Sequence, residues 1–208
     1  MSWLLFGLVP VYLLTLDKKL WMLLQQPQIR LLLGGAGACL LLFWQVKAQL
    51  PDGPALHFIG ITCTTLLLGL RLSLCLIPLI LLTTTLATLL VAPAQLSSTE
   101  QLFWDWWVLV VLALQSYLQL WWVNRQFGQH LFIYIFVATF AGSALCAVTF
   151  VLLQSLLFTM SATQPIDLSD YFALAPLLAL PEAILNGMAM TLLLVYKPEW
   201  VATYQPAR

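Results

Sequence analysis

Residues 104–122 read WDWWVLVVLALQSYLQLWW. Trp104, Trp106 and Trp107 stand at one end, Trp121 and Trp122 at the other, and no charge lies between Val108 and Leu120. At a helical rise of 1.5 Å per residue, the 18 steps from Trp104 to Trp122 cover about 27 Å. That is close to the roughly 30 Å hydrocarbon thickness of a bilayer. Tryptophan at both ends of such a run is the pattern of two interfacial belts. The stretch predicts a membrane-crossing helix over Trp106 to Val123.

The rest of the chain extends this reading. Of 208 residues, 62% are hydrophobic and 8% charged, against roughly 25% charged in an ordinary soluble domain. No water-facing surface can be built from that inventory, so the predicted class is an all-α, polytopic integral membrane helical bundle, a single transmembrane domain over residues 1–208 with the lipid bilayer as its solvent. A ruler of about 20 residues per span gives about seven transmembrane helices. The first is Trp3 to Leu16, stopped by Asp17, Lys18 and Lys19, and the second is Ile29 to Val46, where residues 34–38 offer a small-residue face for close packing. Leu56 to Ala92 is too long for one helix, and Gly69-Leu70-Arg71 divides it into a hairpin of two. After Trp106 to Val123 come an overlong span, Leu131 to Phe158, and a last one, Tyr171 to Tyr196.

Assigned alternately to two sides, the connections place Lys18, Lys19, Arg30, Arg71, Arg125, Lys197 and Arg208 together, and only Lys47 opposite. The positive-inside rule makes the first side cytoplasmic, with the N-terminus outside and the C-terminus inside. Net charge is zero and no basic face is clustered, so nucleic acid is not an expected partner. Cys39, Cys63, Cys75 and Cys146 all lie within apolar runs at spacings of neither a zinc site nor a disulfide framework, and are expected to act as packing residues.

Few residues can carry chemistry. Pro51-Asp52-Gly53-Pro54 is a stiff turn, and His57 is expected to open a helix close behind it, its neutral imidazole able to bind a transition metal. The same residues also read simply as a turn and an interfacial side chain. Glu182, after Pro181 in the last span, is an acid at membrane depth and marks a buried partner or a solute pathway. Asn186 lies one turn on, on the same face. Pro181 could start a half-helix whose dipole favours the adjacent acid. His130 reads as interfacial, and the threonines at 62, 64, 65 and 83–85 as bonded to carbonyls one turn back. No paired-His zinc motif, Gly-x-Ser-x-Gly elbow or phosphate-binding glycine loop is present, so the chain is not expected to be an enzyme or to hold an ATP site. No covalently bound cofactor is expected.

Two blocks resemble a known family. Pro51 to Gly60, ending His57-Phe58-Ile59-Gly60, is similar to the segment that opens the third helix in the CbiM/NikM permeases of cobalt and nickel energy-coupling factor (ECF) ABC transporters. Leu180-Pro181-Glu182-Ala183-Ile184-Leu185-Asn186-Gly187, with the tail Tyr196-Lys197-Pro198-Glu199-Trp200, is similar to their closing helix. The resemblance implies a substrate-capturing subunit of the bacterial plasma (inner) membrane, an outward-facing metal site, and a transmembrane coupling protein and ATPase subunits on other chains. It makes His57 a metal ligand; Asp52, close enough in sequence to share the same vestibule, and Glu182 with Asn186, at membrane depth, are candidates for the substrate pathway on their own residues. The family's Met-His N-terminus supplies further ligands; here the second residue is Ser2. Two functions stay open: a transport component for a transition-metal cation, cobalt or nickel, or another small solute, and a non-transporting membrane scaffold that keeps the fold without the metal site.

Overall fold

The computed structural model describes residues 18–45, 47–49, 55–91, 99–161 and 172–204. The expected first span, Trp3 to Leu16, and Asp52 with its turn lie outside the described residues. A short helix α1 (Lys18–Gln25) bends at Gln26 into α2 (Pro27–Gln45), with Pro27 at a first-turn position where its missing N–H costs nothing. Two three-residue strands follow, β1 (Lys47–Gln49) and β2 (Ala55–His57), antiparallel with Lys47 opposite His57. Then come α3 (Ile61–Leu68), α4 (Leu70–Val91) and α5 (Thr99–Phe127). Helix α6 starts at Leu131–Ile133, widens to a π-helix over Tyr134–Ala141 and returns to α geometry over Gly142–Ser161. Helix α7 (Ala175–Tyr196) and a 3-10 turn, Pro198–Trp200, complete the described chain.

Five of these helices, α2, α4, α5, α6 and α7, are long and apolar enough to cross a bilayer. Their outward faces carry Leu42, Leu90, Leu177 and Tyr196, each more than two-thirds exposed. Soluble monomers do not present apolar surface on that scale. This is a membrane protein.

Sequence and structure part company at five places. Among the described residues the regular structure is helical apart from the β1–β2 ribbon. His57 does not open a helix but closes β2, and the helix starts four residues later, after Gly60. Gly69 does break the run at the expected point, yet α3, on its N-terminal side, has eight residues and a length of about 12 Å, too short to be a spanning helix. Pro181 starts no half-helix, since α7 runs through it. The predicted small-residue face on α2 is used only in part. A Cβ at Gly37 would lie 3.5 Å from Leu76 of α4, whereas Gly34 and Gly35 have nothing within 4 Å.

The short α3 is the centre of the bundle. Ile61, Thr62 and Thr64 to Leu68 are buried, with α4, α5 and α7 packed around them and α2 and α6 closing the sides. Its polar side chains find partners: Thr62 pairs with Ser116 of α5 at 3.1 Å and Thr65 with Ser73 of α4 at 3.0 Å. Hydroxyl pairs of this kind join helices where apolar burial alone gives no drive, because lipid is as apolar as leucine.

Candidate functional site

The segment from His57 to Gly60 enters the bundle as non-helical backbone. Such backbone is tolerated at membrane depth only where protein satisfies its polar groups. Here α7 does so. The Ile59 amide donates to Glu182 Oε2 at 3.0 Å and the Gly60 amide to Glu182 Oε1 at 2.6 Å. Asn186 Nδ2 donates to the same Oε1 at 2.9 Å. Glu182 is 1% exposed, so its two oxygens accept three hydrogen bonds away from solvent. The Ile59 carbonyl accepts from the indole N–H of Trp44 at 3.2 Å. Gly60 has φ +64°, the left-handed region, and a Cβ there would stand 2.6 Å from Leu40. Only glycine fits both demands.

These contacts fix His57. Its ring lies between Trp44, with centroids 5.2 Å apart, and Phe150, at 5.4 Å edge-on. Nδ1 is 3.0 Å from the Phe58 carbonyl. A carbonyl only accepts, so Nδ1 is the donor in this contact, and in the neutral ring Nε2 is the atom a metal would take.

His57 borders a cavity of about 90 Å³. Its polar lining includes Gln45 at the end of α2, Thr84 and Thr88 in the last turns of α4, Asp105 near the start of α5 and Gln154 toward the end of α6. It therefore sits at one end of the bundle. Gln154 Nε2 donates to Asp105 Oδ1 at 3.2 Å.

The structure thus places His57 at the cavity and brings Glu182 and Asn186 together directly behind its loop. Asp52 lies outside the described residues, and His130 is exposed before α6. The sequence reading does not single out Asp105, although an acid beside an uninterrupted apolar span is itself a signal. The α4 threonines do bond back to carbonyls as expected, but Thr84, Thr85 and Thr88 also line the cavity. Among the described residues, no three His, Cys, Asp or Glu side chains gather closely enough to hold a metal ion.

The chain matches the model of the CbiM family, described as the cobalt uptake substrate-specific transmembrane region, over residues 2–200. It belongs to the CbiM family. The match covers both blocks that carried the resemblance and every element described above. CbiM is a family of transporter membrane components and not of enzymes. No curated protein and no solved structure matches the chain.

Proposed function

We propose that this CbiM-family chain captures a divalent transition-metal cation at the outer face of a bacterial inner membrane, as the substrate-binding component of an energy-coupling factor transporter. A coupling protein and ATPase subunits on other chains would supply the energy. The observation that carries the reading is the imidazole of His57, fixed by a clamped loop at the rim of a polar cavity in a chain whose family is described by cobalt uptake. Nitrogen and oxygen donors bind nickel at least as well as cobalt, so nickel is an equally suitable substrate at this site. Glu182 and Asn186 serve by holding the loop, and Asp52, five residues before His57, is a further oxygen donor for the entrance.

Purified protein in detergent, titrated with CoCl2 and NiCl2 and assayed for bound metal, tests this directly. Wild type should load, His57→Ala should lose most of its metal, and loading should fall on acidification because protonated imidazole cannot ligate. Equal loading of the two proteins, or none in either, would overturn the reading. The absence of metal from both would leave the scaffold role, which Ser2 and the lack of a three-ligand cluster among the described residues favour.

A further inference from the structure

Helix α6 departs from α geometry over Tyr134–Ala141, eight residues in π geometry, whose hydrogen bonds span five residues and not four. This geometry is rare, is mostly confined to single turns and often marks functional sites. Side chains hold both ends of the segment. At its start the Tyr134 hydroxyl is 2.6 Å from that of Thr203, and the Tyr134 ring packs on Tyr204 with centroids 5.2 Å apart. Near its end the ring of Phe140 lies on Gly187 of α7, where a Cβ would fall inside the ring. Between them Thr139 Oγ1 donates to the Tyr134 carbonyl, five residues back, at 3.1 Å. Tightening the segment to 3.6 residues per turn would rotate its two ends relative to each other. Tyr134 and Phe140 could not then both keep their partners. The wider helix lets α6 hold α7 and the tail that follows it at once.

Gly187 stands within α7, where glycine is a poorer helix former than alanine. What its missing Cβ provides is the seat for Phe140, whose ring is steadied by Phe136, stacked with centroids 5.7 Å apart. Gly187 directly follows Asn186 and lies five residues after Glu182. The ring therefore bears on the stretch of α7 that holds the Glu182 carboxylate against the Ile59 and Gly60 amides at 3.0 and 2.6 Å. A shift of roughly 0.6 Å in the carboxylate would take the Ile59 contact beyond hydrogen-bonding distance.

We propose that Phe140 is a positioning residue for the His57–Gly60 loop: seated on Gly187 by the π register of α6, its ring keeps Glu182 and Asn186 within reach of the Ile59 and Gly60 amides. Its consequence for metal capture rests on the reading above; its effect on the loop does not.

The test is hydrogen exchange of the loop amides in the full chain in detergent micelles, with the amides of α4 as control, alongside equilibrium dialysis with CoCl2 alone. Phe140→Ala should quicken exchange at Ile59 and Gly60 by about tenfold while α4 exchanges as in wild type, since local opening follows local contacts. Residues that act through one another are not additive, so Phe140→Ala should add no more than about twofold once Glu182 is replaced by Gln. Unchanged loop exchange, an equal rise in α4, or full additivity in the Glu182→Gln background would each overturn the proposal. Should Phe140→Ala fail to fold, Gly187→Ala decides instead: its methyl displaces the ring from the α7 side, and loop exchange at the wild-type rate overturns the proposal. Cobalt affinity should fall several-fold in step with the faster loop, and unchanged affinity would overturn the ring's place in the site. A wild type that binds no cobalt overturns the metal reading, and loop exchange alone then decides this proposal.

Discussion

Three donors meet the two carboxylate oxygens of Glu182, and two of them are backbone amides that have no helical acceptor. A buried donor left without a partner costs about 1–3 kcal/mol. Glu182→Gln keeps one oxygen for Gly60 and Asn186 but turns an N–H2 toward the Ile59 amide, so it should destabilise the protein by about that single penalty. Glu182→Leu strands all three donors, and its loss should be at least twice as large. Thermal unfolding of both variants in detergent checks this; equal melting temperatures would show that the carboxylate does not hold the loop. The acid itself was legible, because a glutamate inside an apolar run has to be paid for by something. Its partners were not, since Ile59 and Gly60 lie 123 and 122 residues away in the chain. Asp105 escaped for the opposite reason: among tryptophans at a helix end, a carboxylate looks like ordinary interfacial charge until the folded chain sets it against His57's cavity.

At the level of elements, α3 is held by the α7 segment at both ends. Glu182 takes the amides that lead into it, and the tail after α7 takes the carbonyls that leave it. The Ala202 amide donates to the Leu67 carbonyl at 2.9 Å and Thr203 Oγ1 to the Leu66 carbonyl at 2.6 Å, with the Thr203 hydroxyl also 2.6 Å from that of Tyr134. A helix of eight residues spends half its carbonyls at its C-terminal end, so these contacts replace bonds it cannot make internally. Thr203→Val removes the hydroxyl at nearly constant volume and should cost about 1 kcal/mol. The measurement is hydrogen exchange of the α3 amides, expected to quicken while cobalt affinity changes little. Unchanged exchange would mean that the tail merely lies against α3. The break at Gly69 could be read from the sequence because a glycine two residues before an arginine interrupts an apolar run. The extended lead could not, because a segment buried on every side has the same hydropathy whether it is helix or strand. Only the distant Glu182 decides that the backbone at 59 and 60 can stay unwound.

For the whole molecule, the cavity fixes how the connections must alternate. It contains Gln45 from the end of α2 and Thr88 from the last turns of α4, so both helices finish at the same end of the bundle. Helix α4 therefore starts at the opposite end, and the chain between Gln45 and Leu70 has to travel the full depth of the bundle. The lengths allow it. Six residues from Ala55 to Gly60 reach up to about 20 Å when extended, and α3 adds about 12 Å, together about the thickness of the hydrocarbon core. Counting this broken segment as a crossing preserves the alternation that puts seven basic residues on one side, and it sets the cavity on the side that has only Lys47. Reporter tags inserted at Asp52, Ser98 and Arg208 test the arrangement. Asp52 and Ser98 should report the outside and Arg208 the cytoplasm. Tags at Ser98 and Arg208 alone would not suffice, because α5, α6 and α7 separate them whether or not α3 crosses. The informative pair is Asp52 and Ser98: opposite sides for those two would make α3 a re-entrant helix, remove one crossing and reverse the charge partition on which the orientation depends.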